Sequence, residues 1–251
     1  MKYDFTSLID RHGMDAIAVD SWGEIPGMAP NAPDEGFDRI PMWVADMNFA
    51  TVPTVQEHII QRAQHPMFGY FDPRAEYFDR IIEWQSRRNG VEGRLPEYIG
   101  DENGVLGGVV STLRDRVCAV SNKTHYNEMN VLSMHALIGA YQPQGYEWVD
   151  ELNEVIKDNV DYFSDYVDEH FKGVAYSRPQ GTYMVFLDCT EWCREHGRDI
   201  QWLLDEGARV GVGYQDGRPF HGPCHIRVNL ALPLSRVQEA CERLNRYVFN
   251  A

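Results

Sequence analysis

One apolar stripe constrains the fold more than any other feature. Tyr146, Val149, Leu152, Ile156, Val160, Phe163 and Val167 recur at three- and four-residue intervals, the spacing that gathers side chains on one face of an α-helix. Gly173 ends that helix, and Lys172 beside the end suits the negative pole of its dipole. The stretch TYMVFLDC (182–189) alternates and is rich in β-formers, so it reads as a strand. A short helix is expected near 199–206, strands near 209–213 and 225–231, and a closing helix near 234–248. Residues 145–251 therefore read as an intact small α+β domain.

Upstream, residues 1–50 form an irregular arm rich in Gly, Pro and Asp that ends in IPMWVADMNFA. Helical spacing begins near Pro53, with Val52, Val55 and Ile59 on one face, and proline favours a helix start. A second helix is expected from Asp72 as N-cap, with Pro73 at the first helical position and Gly90 as the stop. Residues 127–141 read as a buried helix, broken by Pro143 and Gly145. Between these lies GVLGGVV (104–110), a glycine-rich turn that opens into a helix near Val109–Val120. Free N–H groups at such a helix start are suited to a phosphate. A cradle of this kind usually belongs to a strand–helix unit in a parallel sheet. Here the preceding strand candidate, Tyr98–Ile99, has almost nothing to pair with. Lys123 follows the cradle closely, and a cradle with a lysine is two main parts of a pyridoxal phosphate (PLP) site.

The chain has 23 basic and 38 acidic residues, a formal net charge of −15. That balance disfavours nucleic acid and anionic membrane as partners, because both need a basic face. Lysines occur only at Lys2, Lys123, Lys157 and Lys172. The N-terminal residues carry charges throughout, and no apolar run is long enough to span a bilayer, so a cytoplasmic protein is expected. The cysteines Cys118, Cys189, Cys193, Cys224 and Cys241 show no disulfide framework and read mostly as small buried hydrophobes. A zinc site from Cys189, Cys193, His196 and HGPCH (221–225) fits no structural zinc spacing.

Three segments together carry a family resemblance. PMWVADMNFATVPTVQEHIIQRAQHPMFGYFDP (41–73) resembles the start of the carbon–sulfur β-lyases of the class I/II aminotransferase superfamily, the cystathionine β-lyase type of PLP enzyme of fold type I. NVLSMHALIGAY with GYEWVDELNEVI is similar to their helices beyond the imine lysine. PQGTYMVFLDC and HIRVNLALPLSRVQEACERL are similar to their C-terminal small domain. The resemblance implies a role for Arg227 in gripping the substrate α-carboxylate, where a guanidinium offers two parallel N–H donors. It implies that Gly107, Gly108, Val109 and Val110 wrap the cofactor phosphate, and that Tyr70 reaches the phosphate of a neighbouring subunit, hence a homodimer or a heterodimer with a full-length relative. Trp43 to Met47 match a segment folded over the substrate, with Trp43 and Asp46 as substrate-side residues. Each has a plainer reading: a strand arginine paired with a surface acid, a glycine turn, a half-buried aromatic, an apolar clasp on the arm.

The resemblance also implies chemistry for which parts are missing. β-Elimination from a sulfur amino acid needs an imine lysine, an aspartate on the pyridine nitrogen and supporting Asn and Tyr groups. The family's Asn-Pro-x-Asn-Pro-Thr-Gly, Ser-Asp-Glu and Pro-Ser-Lys-Thr stretches are not found in this sequence. The residues after Lys123 match family sequence well downstream of the imine lysine, so Lys123 is not assigned that role and no catalytic residue is named. The expected architecture is α/β: a fold type I remnant with an intact small domain (145–251), the arm (1–50) as part of it, and a truncated large domain (51–144) lacking most parallel strands. The joint falls near Leu113–Arg114, with on the order of a hundred residues absent, a domain's worth. PLP binding is expected to be weak or lost. The expected function is that of a C–S β-lyase by resemblance, inactive alone. The alternatives are a non-catalytic dimerising or regulatory partner of a full-length relative, or a partly folded deletion product.

Overall fold

The computed structural model describes residues 1–69, 71–100 and 129–250. In chain order the helices are α1 (Ile17–Asp20), α2 (Pro53–Ala63), α3 (Ala75–Asn89), α4 (Val131–Ala140), α5 (Pro143–His170), α6 (Thr190–His196), α7 (Ile200–Arg209) and α8 (Leu234–Leu244). The strands are β1 (Ile40–Pro41), β2 (Ala175–Tyr176), β3 (Met184–Asp188), β4 (Val212–Gly213), β5 (Gln215–Asp216) and β6 (His225–Asn229). The chain divides into two compact units, one of residues 1–50 with 150–251, the other of residues 51–149.

In the first unit an antiparallel sheet runs in the order β2-β3-β6-β5. Alternation puts Val185 and Leu187 of β3 with Ile226 and Val228 of β6 into one buried cluster. Val160, Phe163 and Val167 of α5, Leu203 of α7, and Val237, Cys241 and Leu244 of α8 complete that core. On α5 Leu152, Val160, Phe163 and Val167 of the stripe are buried and Tyr146, Val149 and Ile156 half-buried, and two polar side chains, Asn159 and Ser164, are buried with them. Asn159 is fully buried and donates to the carbonyls of Leu230 and Leu232, both at 2.8 Å. Among the described residues the parallel pairing is that of β1 with β4, Ile40 opposite Val212 and Pro41 opposite Gly213. The arm continues from β1 along β6, where Asn229 N–H donates to the Met42 carbonyl at 2.8 Å.

The second unit is helical in its described part. Tyr77, Val131, Met134 and Ile138 form its buried cluster. At α2 and α4 the backbones approach closely: the Thr54 hydroxyl donates to the Gly139 carbonyl at 2.6 Å. A Cβ on Gly139 would sit 2.9 Å from the Val55 Cα. Gly139→Ala therefore gains up to about 1 kcal/mol of helix propensity but meets backbone that cannot swing aside. Overpacking costs about 1–3 kcal/mol, so net destabilisation in urea unfolding is the expected result.

Several boundaries differ from the sequence expectation. α3 starts at Ala75 rather than near Pro73, with extended Arg74 as its N-cap, so Asp72 does not cap it. Proline biases the residue before it away from helix, and the chain stays extended through Arg74. Gly90 does end α3, at φ 63°, a conformation glycine adopts without Cβ strain. Tyr98 lies in a 3-10 turn, Pro96–Tyr98, not in a strand; Pro96 has no N–H to give a ladder. Pro143 opens α5 rather than only breaking the preceding helix, and Gly145 lies within it. The expected helix near Val109–Val120 and the joint near Leu113–Arg114 lie outside the described residues.

The thiols follow from this packing. Burial pushes the Cys189 and Cys241 thiols well up, and burial with the neighbouring Cys224 raises Cys193 to about 12. They are neutral, buried thiols that pack as part of the core. Among the described residues no group of three or more His, Cys, Asp or Glu side chains could hold a metal ion. Among the same residues no helix is long and apolar enough to cross a membrane.

Candidate functional site

Arg227 stands half-buried in the first unit. Alternation along β6 buries Ile226 and Val228 and turns His225 and Arg227 to the other face. Register places Phe186 of β3 and Gln215 of β5 opposite Arg227. Its Nη2 donates to the Gln215 side-chain oxygen and, at 3.4 Å, to the Trp43 carbonyl. The Phe220 ring lies 4.3 Å from the guanidinium carbon, within cation–π range. Nε is buried and has no hydrogen-bond partner among the described residues. No described carboxylate pairs with this arginine, whereas Arg236 and Arg243 share Asp38. Burial presses the Arg227 pKa below its ordinary value, partly offset by Tyr183. A guanidinium desolvated in that way gains most from a counter-charge.

The arm segment beside it is fixed by one residue absent from the sequence-level candidates. Asn229, fully buried on β6, donates to the Val44 and Asp46 carbonyls, both at 2.6 Å, and accepts from the Ala231 N–H at 2.7 Å. The available signal was an amide within an apolar run, since a buried polar side chain must find partners.

Of the sequence candidates, Trp43 is fully buried, and its indole N–H donates to the Ala18 carbonyl at 3.0 Å. Its backbone carbonyl, not its ring, meets Arg227. The Asp46 carboxylate is engaged by Arg11 at 2.7 Å, and Arg11 also donates to Asn48 at 2.9 Å. The structure thus brings the Trp43 backbone to Arg227 and ties Asp46 to the arm. Gly107, Gly108, Val109, Val110, Tyr70 and Lys123 lie outside the described residues. Of the other lysines, Lys157 pairs with Asp161 at 3.1 Å and Lys172 donates to the Asp168 carbonyl at 3.1 Å, both exposed. Lys2 stacks over the Tyr3 ring. The described contacts of Lys157 and Lys172 lie away from Arg227.

No protein-family model matches the chain. Among curated proteins it is 31% identical over 103 residues to cystathionine beta-lyase PatB of Bacillus subtilis, covering 41% of this chain and 24% of that protein. It is 30% identical over 132 residues to protein MalY of Escherichia coli, covering 51% and 33%. The chain spans about a quarter to a third of the length of the curated relatives it matches. Among solved structures, the PLP-bound C–S lyase of Staphylococcus hominis in external aldimine form with L-cycloserine superposes with a TM-score of 0.79 at 15% identity, over 97% of this chain and 98% of that one. Cystalysin of Treponema denticola, a PLP-containing protein, gives a TM-score of 0.76 at 15% identity, over 98% of each chain. The mixed helix-and-sheet fold is the one these structures share.

Proposed function

We propose that the chain is a relative of the cystathionine β-lyases that keeps the substrate-carboxylate half of a C–S β-lyase and lacks turnover by itself. The observation that supports this reading is Arg227: half-buried, without a carboxylate partner among the described residues, and held between Gln215, Phe220 and the Trp43 carbonyl. The ligand is the α-carboxylate of a sulfur amino acid. The guanidinium binds and orients it, and Asn229 holds the arm that supplies one wall.

The cofactor of this reading is PLP, which in such enzymes supplies an electron sink for the carbanion at Cα. The described residues do not fit its chemistry. Among the described residues Lys157 and Lys172 are engaged with Asp161 and the Asp168 carbonyl, so neither amine is placed beside Arg227 to hold the cofactor as an imine. Phosphate contact would rest on Gly107 to Val110, with Tyr70 reaching across a dimer. No step is therefore assigned through PLP.

Two measurements test the proposal. Calorimetry with cystathionine should give saturable binding that Arg227→Gln weakens at least tenfold, with Arg227→Lys between the two. Unchanged binding in R227Q overturns the carboxylate assignment. Incubation with PLP and cystathionine should give neither an absorbance band of a lysine-linked imine nor pyruvate. A band with pyruvate release overturns the absence of turnover.

A further inference from the structure

We propose that the hollow lined by α2, α4 and the start of α3 in the second unit is a binding site for the phosphate group of a small anion. The cavity is about 450 Å³ and is lined by His58, Arg62 and His65 from α2 and the turn after it, Arg74 and Glu76 at the start of α3, and His135 from α4. His58, Arg62 and His65 fall at helical spacing on one face, so three elements aim nitrogen-bearing side chains into one space.

Two of these nitrogens are stranded. His135 is 8% exposed, and its Nε2 has no hydrogen-bond partner among the described residues. The Nη1 of Arg62 is likewise buried and unpartnered, while its Nη2 donates to the Met67 carbonyl at 3.0 Å. Buried polar atoms without partners cost about 1–3 kcal/mol each, and an oxyanion would accept from the Arg62 Nη1 and from His135 Nε2 in the tautomer that carries its proton there. Glu76 does not serve: it lies 3.8 Å from Arg74 and 3.9 Å from Arg80, shared between them. The α3 terminus adds positive potential, because its N-cap Arg74 provides no side-chain acceptor for the first-turn N–H groups. Donors converging from three elements suit a tetrahedral group with several oxygens better than a planar carboxylate.

The electrostatics agree in sign. Burial, then Arg74, Arg62 and His58, presses the His135 pKa down, and Glu76 opposes them weakly. A bound dianion reverses that field, so His135 titrates higher when the site is filled. By linkage, phosphate then binds more tightly as the pH falls through that raised value. The site shares no residue with the Arg227 site and does not depend on the lyase reading.

Inorganic phosphate is the probe, added to the full chain at constant ionic strength with chloride as control, and read by calorimetry and by histidine NMR. Saturable binding is expected, with the His135 resonance shifting its midpoint upward. Arg62→Gln and Arg74→Gln should each weaken binding tenfold or more, and Arg62→Lys less. Far-UV circular dichroism checks the fold, and Arg74, exposed at a helix start, serves where Arg62→Gln unfolds the unit. Absence of saturable binding overturns the proposal, as does undiminished affinity in both glutamine variants. Loss in Gly107→Ala with retention in R62Q would place the phosphate at the glycine-rich turn instead, and overturn it equally.

Discussion

Asn229→Ala destabilises the first unit by about 3–5 kcal/mol, read as a fall in the urea midpoint at unchanged slope. The side chain makes three hydrogen bonds, to the carbonyls of Val44 and Asp46 and from the N–H of Ala231. Each contributes about 1 kcal/mol, and the stranded buried groups add about 1–3 kcal/mol apiece where water cannot enter. Asn229→Asp is the informative companion. It keeps the acceptor for Ala231 but sets a carboxylate oxygen against two carbonyl oxygens, so it should be at least as damaging as alanine. A loss under about 1 kcal/mol in both variants, no more than one ordinary hydrogen bond, would mean that the arm is held by other contacts.

Trp43→Ala is expected to cost about 3–5 kcal/mol, the range for deleting a large buried aromatic. The ring has no exposed surface, and its N–H shares the Ala18 carbonyl with the indole of Trp22, at 3.0 and 2.8 Å. Trp43→Phe leaves most of the volume and loses chiefly that hydrogen bond, about 1 kcal/mol. The same pair separates two roles. If the residue acts as a clasp on the arm, W43F keeps carboxylate binding at Arg227 within about twofold, because the backbone carbonyl is the contact there. A tenfold loss of binding in W43F at intact stability would assign the ring to the ligand.

Legibility in the sequence followed the range of the interactions. The α5 stripe was readable because its information is local: a three-four spacing fixes a face whatever it later packs on. Gly90 was readable for the same reason, since one residue carries the left-handed stop. The strands β1, β2 and β5 have two residues each, too few to show an alternation, and the strand expected near 209–213 shrinks to the two residues of β4 because α7 runs on through Arg209. Their pairing comes from the tertiary fold. Asn159 and Asn229 looked like ordinary polar residues because their partners are distant. Asn229 bonds Val44 across 185 positions. Arg227 could be marked from the family resemblance, but its setting could not. Gln215 and Phe220 join it only through the β5–β6 pairing and the turn between them.

The parallel pairing of Ile40–Pro41 with Val212–Gly213 has a consequence in time. The arm is made before its partners on β4 and β6. At roughly 5–20 residues per second of synthesis, Met42 waits about ten to forty seconds for the Asn229 that fixes it. Throughout that interval Ile40, Met42 and Trp43, all destined for zero exposure, are an open apolar segment on the nascent chain. Closing so long a loop is also entropically slow. The arm is therefore expected to dock onto the first unit only after β4 and β6 have been made.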